Sequence, residues 1–153
     1  MRLRVYRGKG VYLQYLSYIL EHKWNVGVEC VKAGLFWHAI THDLSKFRPS
    51  EFFPYAKFFF GENKSCKVKE DFLVAWNYHQ KRNKHHWNFW VCVDSENKAT
   101  SMPIKYIKQM VCDWKGMSRK FGDTALEYFD NNKHKMILHK DVEPRIQEEL
   151  KNV

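Results

Sequence analysis

The sequence predicts an all-α fold, a single compact domain of about six to seven helices, and three observations lead there. Apolar residues recur at three- and four-residue spacings along nearly the whole chain. Period-two alternation, the mark of half-buried strands, is nearly absent. The breaks between periodic stretches carry Gly, Pro or capping residues. With 153 residues, 44% hydrophobic and 16% aromatic, the chain can fill one core and is too aromatic to be disordered.

The first helix is expected from Val11 to Ala33, carried by Leu13, Leu16, Ile19, Leu20, Val26 and Cys30, with Gly34 as its C′ residue. A shorter second helix carries Phe36 to Leu44. Pro49 opens a third, PSEFFPYAKFFF, which Gly61 ends. GENKSCK reads as a polar connector, and Asp71 to Lys84 as a fourth helix with Phe72, Ala75, Trp76 and His79 on one side. VDSENKATSMP reads as a surface loop. After Pro103, the stripe Ile104, Ile107, Met110, Val111 and Trp114 marks a fifth helix. Thr124-x-x-Glu127 is a capping box that starts a sixth, and Asp141 to Leu150, with Pro144 in its first turn, makes a short last one.

Charge bounds the partners without naming one. The excess of 26 Lys and Arg over 17 Asp and Glu gives +9, which attracts nucleic acid, nucleotides and anionic lipid alike. A merely solvated lysine-rich surface reads equally well. No stretch of about 18 apolar residues lacks charge, so no membrane span is expected. Cys30, Cys66, Cys92 and Cys112 form no C-x-x-C pair and read as free thiols in a reducing, cytoplasmic setting. The start, MRLRVYRGKGVYLQYLSYIL, is basic and partly apolar, but Tyr12, Gln14, Tyr15, Ser17 and Tyr18 interrupt it and no A-x-A site follows, so it is not read as a signal peptide.

The residues with chemical potential begin at His42-Asp43, in Trp37-His-Ala-Ile-Thr-His-Asp-Leu-Ser-Lys-Phe47. Taken alone, the pair could be a buried histidine held by its neighbours. Asp113, between Cys112 and Trp114 on an apolar helical run, changes the balance, because a buried carboxylate requires a cation, a proton or a metal. His22 adds an imidazole from the first helix. His79, Asn83 and His86 are spaced by four and three, which would put them on one helix face.

The ordered set His22, His42-Asp43, Asp113 resembles the metal-binding pattern of the HD-domain phosphohydrolases. The chain also resembles, from about Tyr15 to His139, a family of short, functionally uncharacterised bacterial and phage proteins. Its phrases stand here as His42 to Phe52 (H-D-L-S-K-F-x-P-x-E-F), Trp76 to Trp87 (W-x-x-H-x-x-x-N-x-H-H-W) and Asp113 to Gly116 (D-W-x-G). The resemblance implies a first metal held by His22, His42, Asp43 and Asp113. Asp43 would bridge to a second held by His79 and His86, with His85 competing for that last place. Imidazoles with carboxylates suit one or two divalent ions of Mn, Fe, Co, Ni or Zn.

The function expected on this resemblance is metal-dependent hydrolysis of a nucleotide or other small phosphate ester by metal-activated water. Asp43 and Lys46 would serve in catalysis, and Glu51 would orient the water or protonate a leaving oxygen. Arg48, Lys81, Arg82 and Asn83 would face the substrate. A helix-end salt bridge reads as well for Lys46 and Glu51. Trp76, Trp87, Phe89 and Trp90 read as core more readily than as a base-stacking platform. His38, four residues before His42, is expected in a supporting or surface role, and His139 near the cleft edge. Two other readings stay open: iron in both positions running oxygen chemistry, or a non-enzymatic basic module that binds nucleic acid or a protein partner. Oligomeric state is not legible.

Overall fold

The computed structural model describes residues 10–151; the basic first nine residues, on which the leader reading partly falls, lie outside them. Among the described residues there are seven helices: α1 (Val11–Lys32), α2 (Phe36–Thr41), α3 (Pro49–Phe60), α4 (Cys66–Arg82), α5 (Ile104–Phe121), α6 (Ala125–Asn132) and α7 (Val142–Lys151). Short 3₁₀ turns cover Leu44–Phe47, Trp87–Trp90 and Lys133–Lys135. No sheet forms among them, and one antiparallel bridge, Val91 to Ala99, closes the expected loop. No described helix is long and apolar enough to cross a membrane. The four cysteines are free thiols.

α1 is the central element and packs against α2, α3 and α5. Its buried face, Tyr15, Ile19, His22, Val26 and Cys30, repeats every three or four residues, so one helix serves two cores and carries a histidine between them. Toward α3 and α4 it meets Tyr55, Ala56 and Ala75 in an aromatic-rich cluster that Phe52, Phe72 and Trp76 flank. On the other side its Val26 and Cys30 pack with Cys112 of α5, and α5, α6 and α7 build a further core from Ile107, Met110, Val111, Phe129, Ile146 and Leu150. Trp87 and Trp90 pack on that further core.

One glycine sets the α1–α5 spacing. A Cβ at Gly116 would lie 2.5 Å from Val26 Cγ2 and 2.8 Å from the Val26 N and Cα, so only glycine permits this approach. One turn back on each helix, the same contact brings Asp113 to His22. The glycine of the D-W-x-G phrase thus acts on the site through packing.

Three boundaries differ from expectation. α2 stops at Thr41, not Leu44, because Asp43 takes a left-handed conformation at φ 55°. α4 begins at Cys66, not Asp71: Ser65 Oγ accepts the Val68 N–H as an N-cap, and the first turn faces solvent, where no apolar periodicity marks it. α4 also ends at Arg82, not Lys84. Asn83 is extended and its side-chain amide donates to the His79 carbonyl at 2.8 Å, which satisfies an end carbonyl and stops the helix.

Candidate metal centre

The His42-Asp43 corner is built by the backbone. His42 leaves α2 in an extended conformation (φ −53°, ψ 128°), and Asp43 follows in the left-handed region. Lys23, from α1, donates to the Ile40 and His42 carbonyls and pins the corner. A left-handed non-glycine residue costs about 1–2 kcal/mol. What it achieves is that two successive side chains reach the same interior point, which a continued helix would have turned about 100° apart.

Four donor atoms converge at that point. His22 Nε2 lies 3.0 Å from His42 Nε2, 3.2 Å from Asp43 Oδ2 and 3.4 Å from Asp113 Oδ1. His42 Nε2 is 3.3 Å from Asp43 Oδ2 and 3.6 Å from Asp113 Oδ1. Donors bound at about 2.0–2.2 Å to one ion sit about 3 to 3.5 Å from each other, so these gaps match a coordination shell. Asp113 is only 8% exposed.

The second carboxylate oxygen of Asp43 faces a second group. Oδ1 is 3.4 Å from His79 Nε2 and 3.3 Å from His85 Nε2, and His86 Nε2 is 2.9 Å from His79 Nε2. Both neighbouring histidines therefore arrive, although the sequence favours His86 alone. They reach the cluster because the chain turns back after Arg82, so the single helix face through residues 79, 83 and 86 is corrected. Asn83 supports α4 and Ser45 Oγ (2.8 Å) rather than a substrate.

An outer partner fixes the His79 tautomer. His79 Nδ1 lies 3.0 Å from Glu51 Oε2, so it donates there and leaves Nε2 with a lone pair. Glu51 is fully buried and also accepts from Ser45 Oγ (2.8 Å) and Arg82 (2.6 Å). With three donors on it, Glu51 positions His79. Glu51→Gln keeps the shape but removes the charge, and is expected to weaken metal binding at the second group by about 10–100-fold while sparing the first; two-step metal titration calorimetry reads this. His38 Nε2 lies 3.3 Å from His42 Nδ1, within hydrogen-bond reach of that ring's outward nitrogen.

Electrostatics favour neutral imidazoles at His38, His42 and His86 and ionised carboxylates at Asp43 and Asp113. Burial pushes His42 down to about 3 and, with His85, His38 to about 4. Burial with the neighbouring His85 and His79 holds His86 well below the ordinary range. Burial opposes ionisation of Asp43, yet His42, Lys46 and His79 outweigh it and hold its carboxyl low. Burial is likewise outweighed at Asp113 by His42 and His22. Lys46 Nζ sits 2.6 Å from Asp43 Oδ2.

A divalent metal fits these residues. Asp43 Oδ1, Asp113 Oδ1 and His85 Nε2 are buried without a hydrogen-bond partner, and such orphans are costly unless something binds them. Three sets meet the spacing a cation needs: His22, His42 and Asp113; Asp43, His79, His85 and His86; and His38, His42 and His85, which shares its last two residues with the others. Imidazoles mixed with carboxylates suit a transition metal better than Mg or Ca.

A cavity of about 410 Å³ opens beside the cluster, bordered by His22, Lys46, His79, His86 and Asp113 and otherwise mostly by aromatic side chains and methionines. Of the cations expected around the site, Lys46 alone lines it. Arg82 is engaged with Glu51 and Ser50, and its guanidinium lies 4.9 Å from the Tyr78 ring centre. Lys81 donates to the Asn88 carbonyl, and Arg48 is exposed where α3 begins. His139 pairs with Asp141, away from the cluster. Tyr15, Tyr55 and Ser118 line the cavity unforeseen; a tyrosine on a helical stripe looks like core in sequence, so nothing distinguishes them.

The family model DUF5662, described as a family of unknown function, matches residues 12–152. Neither a curated protein nor a solved structure matches the chain.

Proposed function

The chain belongs to the DUF5662 family, and we propose that it is a metal-dependent phosphohydrolase acting on a small phosphate ester. The observation that carries this reading is the Asp43 carboxylate, with one oxygen among His22, His42 and Asp113 and the other beside His79 and His85. A carboxylate shared in this way suits a pair of ions close enough to act together on a phosphoryl group.

His22, His42, Asp43 and Asp113 would hold one ion, and Asp43, His79, His85 and His86 the other. Bound there, a divalent pair supplies a water acidified from 15.7 toward about 7 and a clamp on phosphoryl oxygens. The chain's own residues prepare the rest. Glu51 keeps a proton on the outward nitrogen of His79, so its inward nitrogen stays available, and His38 lies against the outward nitrogen of His42. Lys46, buried at the cavity edge against Asp43, fixes that carboxylate and adds positive charge where a phosphoryl group would gain negative charge. The aromatic walls limit access of bulk water.

The imidazole-rich second group also favours another use of the same residues: iron in both positions and dioxygen as co-reactant. An anaerobic iron spectrum with substrate-dependent oxygen consumption would favour it. A binding module, in contrast, predicts affinity that falls steeply with salt and no turnover.

Protein purified without chelator or histidine tag, with metals counted by mass spectrometry, tests the reading. Phosphate esters are then assayed with Mn, Fe, Co, Ni and Zn. Bound metal with phosphate release supports it; a metal-free protein that gains no activity from any of these ions overturns it.

A further inference from the structure

We propose that the cavity beside the metal centre takes a phosphate monoester whose esterified group is flat and apolar, and discriminates against nucleoside triphosphates and small polar phosphates. This assignment rests on the hydrolytic reading above and names its substrate class.

The walls carry the argument. Tyr18, Phe59, Phe72, Trp76, Trp114 and Phe121 all line the cavity. The aromatic surface begins at the donor histidines themselves. The Trp76 ring centre is 5.6 Å from those of His79 and His86, and Tyr18 stacks on His22 at 6.4 Å. A phosphoryl group placed at the cluster would therefore project its ester group directly onto aromatic faces. The volume, about 410 Å³, lies within the range of ordinary small-ligand clefts.

Charge sets the number of phosphoryl groups. Among the described residues, Lys46 is the one lysine or arginine on the lining, whereas Asp123 adds a carboxylate away from the donor set. Two divalent ions would exceed the charge of Asp43 and Asp113 by two, which one phosphate dianion answers. The further charges of a triphosphate would meet no second lysine or arginine among the described lining residues.

Three oxygens remain to be explained. Tyr15 Oη, Tyr55 Oη and Ser118 Oγ are buried, lack hydrogen-bond partners and belong to cavity-lining residues. Burial holds both tyrosines above their ordinary value, so they stay protonated and can donate. Unpaired donors on these lining residues suit an oxygen of the phosphoryl group or of its ester link, the polar end of the proposed substrate.

The test compares 2-naphthyl phosphate, glycerol phosphate and ATP on metal-loaded protein. It also measures quenching of tryptophan fluorescence by naphthyl phosphate and by inorganic phosphate on metal-free protein. Naphthyl phosphate should have a kcat/KM about 30-fold or more above glycerol phosphate, with ATP lowest. It should also quench metal-free protein where inorganic phosphate does not. Tyr55→Phe should weaken naphthyl phosphate binding about 5- to 10-fold without lowering metal content or thermal stability, since the hydroxyl has no internal partner. Met117→Trp, which fills the cavity, should abolish the quenching and leave metal content intact. Glycerol phosphate or ATP cleaved as well as naphthyl phosphate overturns the substrate class while hydrolysis stands. Quenching that both variants alter, without cleavage of any ester, overturns hydrolysis and leaves the apolar cavity assigned. Neither binding nor cleavage of naphthyl phosphate ends both.

Discussion

Asp43→Asn is expected to lose both metals together, whereas His22→Ala or His86→Ala weakens one position more than the other. The reason is that a single carboxylate serves both groups, with Oδ2 within 3.3 Å of His22 and His42 and Oδ1 within 3.4 Å of His79 and His85. Asparagine keeps the shape and tolerates the left-handed backbone at φ 55°. It loses the charge and replaces one oxygen with a donor amide. Affinity should fall by more than the ~100-fold that removal of an outer partner costs, with phosphate release reduced to background. A stability effect accompanies this, because Lys46 is buried against Asp43 at 2.6 Å and would be left unpaired, at a cost of about 3–5 kcal/mol. Asp43→Asn with Lys46→Met separates the two. The double variant should recover the thermal midpoint and still bind no metal, as read by circular dichroism beside metal counting. Metal retained at either position in a folded double variant would remove Asp43 from its shared role.

Much of this arrangement was legible in the sequence, and the parts that were not have physical causes. Helix periodicity located α1 and α5 closely because each buries a broad apolar stripe, and Pro49 and Gly61 bracketed α3. The Thr124–Glu127 capping box forms as expected, with both reciprocal hydrogen bonds present. The first turns of α4 were hidden because they face solvent and are held by Ser65 and the Lys67–Asp71 pair. Periodicity also misplaced the far end of α4. It continues an ideal helix through Lys84, whereas the Asn83 side chain ends it, and this is what brings His85 as well as His86 inward. Glu51 and Arg82 were legible as residues of the site but not as partners of each other: 31 positions separate them, and their pairing depends on how α3 lies on α4. Of the aromatics that sequence reads as core or stacking platform, Trp76 and Trp87 line the cavity; its other walls left no trace because they come from both cores, and core and cavity aromatics share one periodicity.

The close contact of α1 with α5 supplies the other large effect. Gly116→Ala would put a methyl group 2.5 Å from Val26 Cγ2 and 2.8 Å from the Val26 N and Cα. The Val26 side chain can rotate but its backbone cannot, so the helices must separate by some tenths of an ångström. Overpacking of this kind costs about 1–3 kcal/mol, and for a domain of this size each kcal/mol lowers the midpoint by about 2–4 °C. The separation acts on the nearest donors, since His22 is one turn before Val26 and Asp113 one turn before Gly116, with 3.4 Å between their donor atoms. The first metal should therefore weaken. The second, with His79 on α4 and His85 and His86 on the chain after it, should be spared. Val26→Ala in the same protein relieves the Cγ2 contact but not the two backbone contacts, so it should restore only part of the stability. Full rescue, seen by thermal melting and by two-step metal titration, would mean that the side chain alone sets the spacing. Partial rescue places the constraint in the helix backbones, and the metal centre then depends on a residue that contributes no donor atom to it.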